Sequence, residues 1–246
     1  SNLNISTPGS GTAIINPSPP LNFGGASSVT FTVRDTVIGS FSVRATSQSD
    51  PNIIGQSGLI TVSPDPATIS IEKVSGDGSG LAAGTDRLLR ARVIDSFNNV
   101  VSGDNVRFIV RAGGGDFGGL DSIDVATDAS GIAEATLTTG VVADSNIVTA
   151  LRISDRADSV QFGIGTISGA VSYYALTPSG DSTIVAGGNL GYTLIAYDQY
   201  SNRVATSDSV TLTSVGSSTA IFSAGPHEFG GLDSLTFTVS DTRAGS

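Results

Sequence analysis

The chain has 246 residues, 39% of them apolar and 14% charged, with no cysteine, methionine or tryptophan. It is too apolar and too weakly charged to stay disordered, and no apolar run nears the ~18 residues of a membrane helix. Twelve basic against 22 acidic side chains give a net charge of −10, with Lys73 the single lysine; nucleic acid and anionic membranes would find no clustered cations to replace their counterions. Lack of cysteine removes disulfides, thiolate metal sites and thiol nucleophiles together. Ser1 follows no leader pattern and reads as an internal cut. The Ser-, Thr-, Gly- and Asp-rich composition points outside the cell.

Alternation at period 2 recurs along the whole chain in short runs bounded by Gly, Asp, Asn, Ser or Pro, which predicts an all-β protein. The first unit, residues 1–65, holds Phe23-Gly24-Gly25, then the strand Val29–Thr36, then two closing strands, Phe41–Ala45 and Gly58–Val62. Phe41, Val43, Ala45, Ile60 and Val62 are its expected inward residues. Residues 66–168 supply strands for a whole sandwich: Ala67–Val74, Arg87–Asp95, Asn105–Arg111, Asp121–Ala126, Gly131–Thr138, Asn146–Ile153 and Ser159–Ile167. Within them Val106, Phe108 and Val110 alternate with Arg107 and Arg111, and Ala133, Ala135 and Leu137 with Glu134, Thr136 and Thr138, the pattern of a sheet dry on one face. The third unit is residues 169–246.

Two repeats connect these units. Ala91–Val101 matches Leu194–Val204, each a strand ending in Asp, a turn with an aromatic and an Asn, then Val, 103 residues apart. Phe23-Gly24-Gly25 with Val29–Thr36 returns as Phe229-Gly230-Gly231 with Leu235–Thr242, an offset of 206, twice the first. A period near 100 residues suits an immunoglobulin-like sandwich. The register makes the first unit the C-terminal part of a module and the third the N-terminal part, so tandem modules in a rod are expected, with incomplete terminal modules. Pro64 and Pro66 stiffen the first link, whereas Gly165 and Gly169 predict a second link that bends more easily.

Thr127-Asp128-Ala129-Ser130-Gly131 before the alternating strand Ile132–Thr138, preceded by Val93–Asp95 and Asn99–Val101, resembles the bacterial immunoglobulin-like domains of invasin and intimin type. The likeness covers the middle unit and the opening of the third. It implies a stalk of a surface adhesin or fibre, and it brings no catalytic residues.

The candidates for chemistry are few. His227, the one imidazole, sits in the turn-like Gly225-Pro226-His227-Glu228 with no identifiable partners for a triad or metal site. Asp116, Asp121 and Asp124 cluster in sequence but among turn residues rather than as a tuned pair. Gly76-Asp77-Gly78-Ser79-Gly80 reads as a loop, since no helix follows to make a phosphate cradle. Asp residues near unit ends leave an inter-module calcium open, and Lys73 alone cannot serve a crosslink in every module. Asn4-Ile5-Ser6 is a lone sequon. Tyr173-Tyr174 and Tyr197 with Tyr200 are the aromatic pairs able to form a glycan platform, with core or joint packing the alternative.

The expectation is therefore a non-enzyme with no catalytic, cofactor or metal residues. It is a structural segment of an extracellular bacterial surface fibre or adhesin stalk, with neighbouring modules or identical chains as partners and self-assembly by strand complementation as an extension. The alternative is a module binding a host glycan or receptor.

Overall fold

The computed structural model describes residues 2–180 and 183–243, and these contain strands and no α-helix. The first group of strands is β1 (Asn2–Ser6), β2 (Ile14–Asn16), β3 (Leu21–Asn22), β4 (Thr32–Arg34), β5 (Gly39–Phe41), β6 (Arg44–Ser47), β7 (Ile54–Gln56) and β8 (Ile60–Val62). They form a four-stranded sheet in the order β3-β1-β6-β7 and two ribbons, β2-β4 and β5-β8. Ile5, Leu21 and Phe41 are buried in this group. Ile60, expected inward, is instead 38% exposed, because β8 pairs with β5 in a two-stranded ribbon that no larger sheet extends.

The middle group is β9 (Ser70–Ser75), β10 (Gly78–Ala82), β11 (Asp86–Ile94), β12 (Asn105–Ala112), β13 (Ser122–Ala126), β14 (Ile132–Thr138), β15 (Ser145–Arg152) and β16 (Ser159–Ile167). Its two sheets run β10-β16-β15-β12-β13 and β14-β11-β9. Residues of both sheets share one core: Leu89, Ala91 and Val93 of β11 and Ala133, Ala135 and Leu137 of β14 meet Val106 and Phe108 of β12, Val148 and Ala150 of β15, and Phe162 and Ile164 of β16. Phe108 stands at its centre, 6.3 Å from Phe117 edge-on and 6.2 Å from Phe162. The alternation read from the sequence places these side chains correctly, and Arg107 on the opposite face pairs with Asp124.

Two sequence readings need correction here. The stretch from Gly78 is not a loop but the start of β10, which runs parallel to β16 with Leu81 opposite Thr166. Its Gly and Ser residues are exposed at a sheet edge, so no apolar alternation announces it. The first strand of the group also begins at Ser70 rather than Ala67, since Asp65 accepts the Thr68 N–H and bends the chain before it.

The third group is β17 (Tyr173–Pro178), β18 (Asn189–Tyr197), β19 (Ile221–Phe222) and β20 (Ser234–Ser240), in one sheet ordered β17-β18-β20-β19. Leu194, Ala196, Val204, Phe229 and Phe237 form its core.

Candidate functional site: the two joints

The repeated Asp-to-Asn turn begins where β11 ends, and its counterpart begins just beyond β18. Asn98 in the first and Ser201 in the second have φ of 62° and 68°, the left-handed step that closes each turn. In each case the Asp is the organiser. Asp95 Oδ1 accepts the N–H groups of Phe97 and Asn99, both at 2.9 Å, while Oδ2 accepts the Asn99 amide at 2.9 Å. Asp198 does the same with Tyr200 at 2.8 Å, Asn202 at 2.9 Å and the Asn202 amide at 2.9 Å.

The remaining bonds leave the turn. Asp95 Oδ2 takes a fourth hydrogen bond from Asp65 N–H in the link at 3.0 Å. Asn99 then reaches into the first group, its amide donating to the Thr36 carbonyl at 2.7 Å and its oxygen accepting from Ile38 N–H at 3.1 Å. The second joint repeats this bond for bond. Asp198 Oδ2 accepts Gly169 N–H at 2.9 Å, and Asn202 donates to the Val141 carbonyl at 2.8 Å and accepts from Ala143 N–H at 3.0 Å. The aromatic of each turn also leans on the preceding group. Phe97 lies under the Arg34 guanidinium, 5.8 Å from the ring centroid, a contact of cation–π type. Tyr200 covers Gly84, where any Cβ would come within 2.6 Å of the hydroxyl.

Both carboxylates are almost fully enclosed, at 2% and 1% exposure. Burial is the largest single influence and raises their pKa, but the Asn amide and the backbone N–H donors together outweigh it. Both Asp95 and Asp198 therefore sit below the ordinary carboxylate value, as expected for a charge met by several donors. A buried charge without such donors would be costly, so the four bonds explain how each Asp can stay ionised inside a joint. The second joint, expected to be the looser one, carries the same pins as the first.

The other sequence candidates are dispersed. His227 packs edge-on against Phe237 at 5.8 Å and lines an open hollow of about 400 Å³ with Val210, Leu212 and Glu228. Asp116 Oδ1 caps Gly119 N–H at 2.6 Å and Asp124 is paired with Arg107, so these two carboxylates have separate partners, while the main-chain carbonyl of Asp121 accepts Val110 N–H. Among the described residues no three His, Cys, Asp or Glu side chains are grouped as metal ligands. Lys73 is paired with Asp77 and donates to the Gln161 carbonyl. Asn4 lies within β1 and accepts from Gln48. Tyr173 and Tyr174 face opposite ways from β17: Tyr173 stacks on Tyr197 at 5.2 Å, and Tyr174 on Phe229 at 5.5 Å with its hydroxyl on Asp208. They do not form one platform.

The Thr127–Gly131 motif serves the same end of the middle group. Thr127 Oγ1 donates to the Val101 carbonyl and accepts Asp104 N–H. Asp128 Oδ1 holds the N–H groups of Ser130 and Ile132, and Gly131, at φ 73°, brings its carbonyl to Val93 N–H at 2.8 Å. Sequence reasoning missed Arg152 beside it. This side chain is 7% exposed and donates to Asp104 at 2.7 Å, the Ile69 carbonyl at 3.0 Å and Ser154 at 3.1 Å.

Face-to-face sheets in the middle group, flanked by strand groups attached through repeated turns, define the class of fold: an immunoglobulin-like β-sandwich. Among solved structures, the Escherichia coli adhesin FdeC matches 99% of this chain and 89% of its own at 17% identity with a TM-score of 0.52. Invasin, a bacterial integrin-binding protein, matches 72% of this chain and 34% of its own at 19% identity and a TM-score of 0.36. The surface-layer protein SbsC, domains 4–9, matches 99% and 35% at 14% identity and a TM-score of 0.33. The fold is thus shared with FdeC. No protein-family model matches the sequence, and no curated protein matches it.

Proposed function

We propose that this chain is a non-enzymatic structural segment of an extracellular bacterial surface fibre or adhesin stalk, built from immunoglobulin-like modules that meet near residues 65 and 168. The observation that carries this reading is the joint made twice with the same bonds. A ligand-binding module needs one presented surface, whereas a spacer needs its units held in series, and the turn aromatics are spent on that holding. FdeC is an adhesin, which fits the reading. Pairing of identical chains by strand addition belongs to the same proposal, supported by exposed apolar side chains at Ile14, Ile53, Ile54 and Leu59 in the first group and Ile221 and Leu232 in the third, the kind of surface that invites it.

Small-angle scattering tests the core of the proposal. A single compact body of this length has a radius of gyration of about 18 Å. A segment of modules in series gives a clearly larger value with the profile of an elongated particle. A value near that of the compact body overturns the reading.

A further inference from the structure

The receiving loops of the two joints are gripped alike but are held from behind by different groups. In the first group Asp35 holds Thr36–Ile38, accepting Ser10 Oγ, Thr12 Oγ1 at 2.8 Å and Val37 N–H at 3.1 Å. In the middle group the corresponding work falls to two neutral side chains, Thr166 of β16 and Asn146 of β15. Thr166 is buried. Its hydroxyl donates to the Asp144 carbonyl at 2.6 Å, lies 3.2 Å from the Val142 carbonyl and accepts Asp144 N–H at 3.1 Å, while its own N–H donates to the Asp144 carbonyl at 2.8 Å. Asn202 grips the other side of the same loop through the Val141 carbonyl and Ala143 N–H. The peptide unit between Val142 and Ala143 is thus engaged on both edges: its N–H by Asn202 across the joint, its carbonyl by Thr166 from within. Polarisation along such a chain makes each bond strengthen the next.

Asn146 fixes the root of this loop. It is fully buried, and its Oδ1 accepts Gly140 N–H at 2.8 Å, while its Nδ2 has no hydrogen-bond partner among the described residues. An apolar strand residue would fill the position without an unmet donor, so what Asn146 supplies is the hold on Gly140. Gly140 has no room to shift, since a Cβ there would lie 1.7 Å from the Gly113 carbonyl oxygen. Its carbonyl accepts Gly84 N–H at 3.0 Å, and Gly84 is the surface that Tyr200 covers. Both places where the third group bears on the middle one therefore meet at Gly140, and the edge offered to Asn202 is left to Thr166 to set. We propose that Thr166 is the positioning residue of the second joint: no hydrogen bond joins it to the third group among the described residues, yet it fixes the direction in which that group is presented. This inference rests on the proposed function, because a fixed direction has meaning only for units held in series.

The test uses the full chain, whose lack of cysteine lets paired spin labels be placed freely. Thr32→Cys with Thr136→Cys reports the first joint, and Thr136→Cys with Thr238→Cys the second; all three positions are exposed. With Thr166 intact both pairs should give narrow distance distributions. Thr166→Val keeps the shape and removes the hydroxyl, and should broaden the second distribution to the width that Asn202→Ala gives, leaving the first unchanged. Thr166→Ser, which keeps the hydroxyl, should retain the narrow width. In a chain already carrying Asn202→Ala, Thr166→Val should add nothing, as expected of groups that act through one contact. A second distribution that stays narrow in Thr166→Val overturns the proposal, and so does broadening that adds to that of Asn202→Ala. Should Thr166→Val unfold the middle group, shown by a broad first distance as well, Thr166→Ala makes the same comparison; unfolding by both makes Thr166 a core residue and also overturns it. Broad distributions at both joints in the chain with Thr166 and Asn202 intact mark failure of the stalk reading instead.

Discussion

Asp95 and Asp198 each fill both carboxylate oxygens with four N–H donors, and this gives the joints a pH response. A carboxyl whose folded pKa lies below its unfolded value near 3.8 stabilises the folded arrangement fully above that pH. The contribution is lost as pH falls through the depressed folded value, where the proton displaces a bond to the link. We expect spin-label distances across both joints to stay narrow from pH 7 to pH 5 and to broaden together below about 3.8, the ordinary value of an aspartate carboxyl. Asp35 and Asp241 respond in the same direction, Asp241 with a pKa lowered to about 2, mainly by the Ser217 hydroxyl. Broadening that begins near neutral pH would contradict this assignment.

At the level of strands and turns, two contrasts separate what holds the middle group from what decorates it. Gly131→Ala puts a side chain into a left-handed position, at a cost of about 1–2 kcal/mol, and its Cβ would also lie 2.8 Å from the Val93 carbonyl and 3.1 Å from Val100 Cβ. Denaturant unfolding should show a loss of more than ~2 kcal/mol, since the crowding adds to the backbone term. Arg152 and Arg107 make a second comparison. Both bind an Asp, but the Arg152–Asp104 pair is enclosed whereas Arg107 and Asp124 have side chains 37% and 44% exposed. Arg152→Ala should cost about 3–5 kcal/mol by leaving Asp104 enclosed and unpaired, and Arg107→Ala far less, since water screens the exposed pair. Equal losses would mean that enclosure is not what matters.

These same elements show what the sequence makes legible. Val106, Phe108, Ala133 and Leu137 are placed correctly because period-2 alternation is a direct consequence of strand geometry. Residues 78–82 are missed because an exposed Gly- and Ser-rich edge strand has no apolar face to alternate. Arg152 follows an alternating apolar run and is buried by a network assembled from Asp104, Ile69 and Ser154, residues between 2 and 83 positions away in sequence. The Asp-to-Asn turn is visible as a repeat, but its purpose is not. Its partners, Thr36 and Val141, are engaged through main-chain carbonyls that every residue possesses.

For the whole molecule, the joints bear on the question of calcium that the Asp-rich composition raises. Calcium seeks six to eight oxygen ligands, and the Asp95 and Asp198 carboxylates have already committed both oxygens to N–H groups. We expect the radius of gyration and the joint distances to be the same in millimolar calcium as in excess chelator. Stiffening on addition of calcium would require a site the joints do not provide. The net charge of −10 also discourages lateral clumping of neighbouring chains at low salt.

The engagement of each Asn with main-chain groups has an evolutionary consequence. A side chain that grips only a peptide carbonyl and a peptide N–H places no demand on the identity of the residues it grips, provided their loop keeps its shape. Gene duplication, deletion or shuffling of whole repeats can then change their number without compensating mutations at the seams, as the differing receivers Thr36–Ile38 and Val141–Ala143 already illustrate.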